Sequence, residues 1–441
     1  METSASNPTP PLPEHWLRNY LPLWIGQAVS MLGSGLVQFA LVWYLTEKTG
    51  SAGVLATATF VALIPGVIIG PFAGALVDRW NRKKTIILSD LGVTLATLVL
   101  VALFALDAIQ IWHIYAVLFI RALCGTFQGP ALSASISLLV PREQYSRLSG
   151  INQALYGTIN IVSPPLGALL MEVLPIQSVL AVDIVTAALA ISLLLFFVTV
   201  PQPKRELAVE GSGPRQVWED VKGGARYVAT WPGMLTLLIG ASLINMLSLP
   251  GFQLMPLLVT GHYGKGAQEL AWLESAFGFG IIAGGLCLGV WGGFKRKITT
   301  TMAGLLGMGI GILLLGLVPP AGYNYALALM ALVGISNAFT NGTLGALVQA
   351  KIPPEMQGRV FTIMNSLTMG ASPIGLVLAA PIADRLGIQI WYIVAGVSCL
   401  LMGTAGLLIR NVATLDDQLP GGKIQVVEQA ALAASINTGK D

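Results

Sequence analysis

The stretch Gly74-Ala75-Leu76-Val77-Asp78-Arg79-Trp80-Asn81-Arg82-Lys83-Lys84 crowds four cations and one carboxylate into its last seven residues. Upstream, residues 49–77 hold no charge, and downstream Thr85–Leu106 holds only Asp90. A membrane-crossing helix needs about 20 mostly apolar residues, and each flank supplies them. The stretch is therefore a basic turn between two membrane spans, and the same reading extends over the whole chain.

Only 10% of the 441 residues are charged and 54% are hydrophobic, with a mean hydropathy of +0.74. Soluble domains carry about 25% charged residues, so these charges are too few to solvate a globule of this size. The 24 Lys and Arg barely exceed the 21 Asp and Glu, which gives no basic excess for nucleic acid. Cys124, Cys287 and Cys399 lie far apart in apolar stretches, and His15, His113 and His262 have no ligand-spaced partner, so neither disulfides, a metal nor a cofactor is expected. Residues 1–17 hold Pro8, Pro10, Pro11 and Pro13 and no apolar run, so no cleavable signal peptide is expected.

Gaps between charges predict twelve spans near 19–46, 52–77, 85–106, 111–135, 148–170, 178–199, 234–259, 270–291, 298–318, 325–348, 360–382 and 390–409. The chain reads as an all-α integral membrane protein. Connections before the odd-numbered spans, with the termini, hold 20 of the 24 cations. Lys48, Lys265 and Arg385 lie opposite, and Arg121 lies inside a span. This asymmetry places both termini in the cytoplasm. The chain divides into a tail at 1–17, a six-helix half at 18–199, a linker at 200–233, a second half at 234–409 and a tail at 410–441. Within the linker, Arg215–Thr230 has apolar residues at helical spacing, as a helix lying on the membrane surface or a solvated linker helix would.

Val140-Pro141-Arg142-Glu143 with Arg147 precedes the fifth span, and Ile352-Pro353-Pro354-Glu355 with Arg359 precedes the eleventh, 212 residues later. Ser163-Pro164-Pro165-Leu166-Gly167 is echoed by Ser372-Pro373-Ile374-Gly375. Both matches fall in the fifth helix of their half, which predicts two pseudo-repeats able to rock around a midplane cavity.

The basic turn resembles the Gly-x-x-x-Asp-Arg-x-Gly-Arg-Arg/Lys motif of the major facilitator superfamily, with Asn81 where the family has glycine. Asn tolerates the left-handed turn that a glycine there would serve. The resemblance implies a conformational latch built from Gly74, Asp78, Arg79, Arg82 and Lys83, with Asp78 docking near the start of the eleventh span. A helix-capping acid in a positive-inside loop accounts for the same residues. The matching turn of the second half, Gly289–Lys297, keeps basic residues but has no acid. Arg121-Ala122-Leu123-Cys124-Gly125 matches the superfamily's Arg-x-x-x-Gly motif. An arginine near the bilayer centre has to face the bundle interior and find a partner. Asp90, on a neighbouring span, is the acid it could nearly reach, whereas Asp183 and Glu274 are expected at the outer rim; each acid could carry protons or make structural hydrogen bonds. Ser163, Pro164 and Gly167 resemble the core of the family's antiporter motif, although small-residue helix packing explains them as well.

Over residues 18–410 the pattern is most similar to the bacterial exporter branch that includes macrolide-efflux and enterobactin-exporter-like permeases. That resemblance implies a monomeric, proton-coupled exporter of amphipathic small molecules in a bacterial inner membrane, surrounded by lipid. In the family, spans 1, 4, 7 and 10 line the cavity; here they carry Gln27 and Gln38, Gln128, Asn245 and Gln253, and Asn337 and Asn341. These amides form the candidate substrate cavity. A lipid or lysophospholipid flippase of the same fold is the alternative. A membrane enzyme would need a nucleophile-base pair or a ligand cluster in its spans, and a receptor would need a sensing domain; the sequence suggests neither.

Overall fold

The computed structural model describes residues 16–77, 80–141, 144–200, 222, 226, 228–352, 360, 364 and 367–417. Among them are twelve helices long and apolar enough to cross a membrane. We number these α1 (Leu17–Thr49), α2 (Ala52–Val77), α3 (Arg82–Ala105), α4 (Ile111–Leu139), α5 (Tyr145–Val173), α6 (Ile176–Phe197), α7 (Pro232–Gln253), α8 (Ala267–Trp291), α9 (Lys297–Leu317), α10 (Tyr323–Lys351), α11 (Ser372–Leu386) and α12 (Gln389–Leu408). In hydrocarbon each backbone N–H and C=O has to be satisfied within its own segment, which the helix alone does for an isolated strand of chain. Intramembrane hydroxyls follow the same rule: Thr46 and Ser135 donate to carbonyls one turn back, Val42 at 2.8 Å and Ala131 at 2.7 Å.

Helix ends are set by local chemistry. Gly50 ends α1 at φ +57°, and its N–H returns to the Thr46 carbonyl. Asn81 does not adopt the left-handed conformation expected for it. It is extended, at φ −71° and ψ 108°, and its side chain accepts from the Lys84 N–H to cap α3.

The duplication is visible in the helix limits, since α4 and α10 begin and end 212 residues apart. Ser163 and Gly167 of α5 pack against Gly35 and Phe39 of α1. In the second half, a β-carbon on Gly375 of α11 would collide with the Met246 carbonyl of α7. Each echoed segment thus packs its fifth span against the first span of its half.

Two spans differ from expectation. The seventh, expected to be continuous over 234–259, stops at Gln253, resumes for one turn at Met255–Leu257 and continues as a π-turn at Leu258–His262. Pro256 has no N–H to return to the preceding turn and disfavours the helical conformation at Met255. Tyr392 of α12 donates its hydroxyl to the Gly251 carbonyl at 2.8 Å beside this break. In the eleventh span a turn at Ala371 interrupts the helix ahead of Pro373.

The halves meet on the side away from the basic loops. There Phe39, Trp43 and Ala168 cluster with Met255, Leu258 and Val259, and Leu41, Leu45 and Leu55 cluster with Leu254, Ala379 and Trp391. On the basic side, Tyr20, Leu23, Val77 and Leu139 form one apolar cluster, and Trp231, Met234, Ile298 and Val348 form another. Among the described residues neither of these two crosses between halves. Among the described residues, the halves are packed together on one side, and no apolar cluster joins them on the basic side.

Candidate functional site

Among the described residues, the fully buried carboxylates, Asp90 and Asp183, both lie in the first half. Asp183 is 1% exposed and lies seven residues inside α6, about 10 Å from its N-terminal end at 1.5 Å per residue. It accepts Ser34 Oγ at 3.0 Å, Thr97 Oγ1 at 3.1 Å and Arg121 Nη1 at 2.5 Å. Arg121 also donates to Thr97 Oγ1 at 2.8 Å. The expectation that Asp90 pairs with Arg121 while Asp183 sits at the rim is therefore corrected. Arg121 bends from α4 toward α6, and Thr97 of α3 completes the site. Thr97 lies two turns beyond Asp90 on the same helix face, a spacing that could have identified it from sequence.

Asp90 has a different environment. It is 3% exposed and accepts Gln27 Nε2 at 3.1 Å and Gln128 Nε2 at 2.6 Å, and Gln128 also donates to Gln27 Oε1 at 3.1 Å. Its bonds come from neutral amides; among the described residues no cation pairs with it. Asp183 is thus neutralised by a partner, whereas Asp90 keeps its charge when ionised. Glu274 of α8 is half-buried and makes no hydrogen bond or ion pair among the described residues.

Two cavities contain most of the amides singled out from sequence. The first, about 410 Å³, is lined by Gln27, Gln38, Asp90, Arg121, Gly125 and Gln128. The second, about 670 Å³, lies in the other half and is lined by Asn245, Asn337 and Asn341 together with Phe252, Phe277 and Met302 and, among the described residues, by no charged one. Asn245 and Asn341 donate within their own helices, to the Ala241 and Asn337 carbonyls. Gln253 lines neither cavity. It accepts Thr59 Oγ1 at 3.4 Å and so ties α7 to α2 on the side where the halves pack together.

Of the latch residues, Asp78 and Arg79 lie outside the described residues. Gly74 is half-buried, with open space where a β-carbon would stand. Arg82 donates to the Ala134 carbonyl near the end of α4 at 3.2 Å, and Lys83 to the Val198 carbonyl at the end of α6 at 2.8 Å. Cations there complement the negative ends of the helix dipoles. In this state both side chains hold their own half together. Ser163 and Gly167 lie in the α1–α5 interface already described, and Pro164 sits inside an uninterrupted α5.

Comparison with known proteins supports this architecture. The family model described as Major Facilitator Superfamily matches residues 23–376 and 248–434. Macrolide efflux protein A of Streptococcus pyogenes is 34% identical over 402 residues, spanning 91% of this chain and 98% of that protein. The multidrug efflux pump Tap of Mycolicibacterium fortuitum is 25% identical over 401 residues, 87% of this chain and 94% of that one. Among solved structures, a D-xylose-proton symporter superposes with a TM-score of 0.68 at 16% identity, covering 92% of this chain and 98% of the other. A bacterial homologue of the iron transporter ferroportin superposes with a TM-score of 0.64 at 14% identity, covering 91% and 99%. The chain belongs to the major facilitator superfamily, and it is a membrane transporter rather than an enzyme.

Proposed function

We propose that this transporter is a proton-coupled exporter of amphipathic small molecules, of drug, macrolide or siderophore-like chemistry. It works by alternating access, as a monomer in a bacterial inner membrane, with both termini in the cytoplasm. Asp90 carries the reading. Among the described residues it is a cavity-lining carboxylate of the first half that no cation neutralises, and two amide donors hold it in place for proton exchange. Arg121 and Asp183, paired with each other, position the cavity wall. Relatives named for macrolide and multidrug efflux support export and the substrate class. The cation-rich basic side supports the orientation, and the lack of an apolar cluster joining the halves there, among the described residues, fits entry of substrate from the cytoplasm. Arg82 and Lys83 release the ends of α4 and α6 when the halves rock, and with Asp78, Arg79 and Gly74 they form the latch.

The test is transport of a macrolide and of a fluorescent amphipathic cation into proteoliposomes under an imposed pH gradient. Wild type accumulates both. Asp90→Asn loses gradient-driven accumulation by about two orders of magnitude, the usual scale for removing a proton-transfer group, yet keeps substrate exchange without a gradient. An Asp90→Asn protein that responds to the gradient as wild type does overturns the coupling role. Activity confined to lysophospholipid would replace export by lipid flipping.

A further inference from the structure

The 212-residue offset lets each charged residue of the first half be compared with its counterpart in the second. Asp90 corresponds to Met302, Thr97 to Gly309, Arg121 to Val333, Gln128 to Thr340 and Asp183 to Ala395. Every charge is replaced by an apolar side chain: Met302 and Thr340 line the 670 Å³ cleft, whereas Val333 and Ala395 are packed in the apolar core beside it. The cleft runs between α7 and α10 down to α9 and α12.

Two methionines form part of that floor, and both rest on glycines. Met402 reaches from α12 to Gly240 of α7, where an added β-carbon would collide with its terminal methyl. Met302 reaches from α9 to Gly406 of α12, where an added β-carbon would collide with its sulfur. Methionine is unbranched and polarisable and repacks readily against differently shaped apolar surfaces. A side chain lying in a glycine notch can also swing out of it and return. At the cavity face, the Asn337 side-chain amide has no hydrogen-bond partner among the described residues.

Building on the exporter reading, we propose that this cleft binds the apolar body of the transported molecule, with Met302 and Met402 as an adjustable floor that sets how large a body is accepted. The ligand class is a bulky apolar body bearing neutral hydrogen-bonding groups, which Asn337 meets at the cleft mouth. Charge is excluded from the cleft by the cost of burying it unpaired and is read instead in the first half, at Asp90. Selection is divided between the repeats: one half reads charge, the other measures bulk.

The experiment uses alkyltriphenylphosphonium cations from butyl to dodecyl, which share one charge and differ in apolar bulk. Binding to the full-length protein in detergent is measured by calorimetry, without a gradient. Gly240→Ala and Gly406→Ala push the methionines off their notches into the cleft. Each is expected to weaken the dodecyl compound about tenfold, the scale of one or two methylenes denied burial, while moving the butyl compound less than about twofold. Met402→Ala deepens the cleft and shifts the preferred chain length upward, which keeps the test informative if an alanine at a glycine prevents folding. Asp90→Asn weakens all members by the same factor. The proposal is overturned if the glycine variants weaken every member equally or none at all, or if Met402→Ala leaves the length preference unchanged. Because binding is read without a gradient, wild-type transport that ignores the imposed gradient while the length dependence is intact overturns the coupling reading alone.

Discussion

The two halves fill the same positions of a duplicated scaffold with opposite chemistry. In the first, Arg121 and Asp183 pair at 2.5 Å among Ser34 and Thr97, with Asp90 beside them. In the second, Met302, Val333 and Ala395 stand at those positions. The helices differ too. α5 runs unbroken through Pro164 and Pro165, whereas the seventh and eleventh spans break near Pro256 and Pro373. Even the caps diverge: α3 is capped locally by Asn81, but the first N–H groups of α9, on Lys297 and Ile298, donate to the carboxylate of Asp416 from the C-terminal segment, both at 3.0 Å. Duplication preserved where helices cross, which small residues and length control, and left side-chain content free to specialise.

The largest effect should come from breaking charge compensation. Asp183→Ala strands Arg121 and is expected to lower stability by about 3–5 kcal/mol, read as a lowered unfolding midpoint in detergent. Arg121→Leu combined with Asp183→Leu makes the first half resemble the second at these positions and should be milder than Asp183→Ala. If the double variant is the worse of the two, the pair is not a compensating unit and the contrast between halves loses its electrostatic meaning.

A smaller effect is expected at the broken seventh span. Tyr392→Phe leaves the buried Gly251 carbonyl without its hydroxyl donor, at a cost of about 1–3 kcal/mol. Hydrogen exchange should accelerate over Gly251–His262 and not in the unbroken α1. Uniform acceleration in both spans would mean that Tyr392 supports the bundle generally and not the break.

The caps should give the smallest effects. Asn81→Ala and Asp416→Ala each remove a cap worth about 1 kcal/mol. The first should expose amides at the start of α3 only. The second should also loosen Lys351 of α10, which donates to the Asp416 carbonyl, and Arg296, whose guanidinium lies 3.3 Å from the Asp417 carboxylate. Equal and purely local effects would show that the remote cap does no more than the local one.

The number of spans, the repeat and the identity of the few buried charges were legible in the sequence, because a bilayer imposes a length on apolar runs and a high cost on charges within them. Arg121, Asp90 and Gln128 could be singled out for the same reason. Their pairing could not. Which of two acids an arginine meets depends on how far α3, α4 and α6 rotate about their axes, and hydropathy carries no record of rotation. Gln253 shows the same limit, since an amide in a cavity-lining span faced the opposite half instead. The methionine floor left no signal at all, as methionine in an apolar span looks like any lipid-facing residue. Composition and charge spacing thus determined the class, the span count and the candidate residues, because those follow from transfer between water and hydrocarbon. Tertiary structure alone decided which acid is compensated, which is free, and where apolar space was left open, because those depend on distances of a few ångströms between helices far apart in sequence.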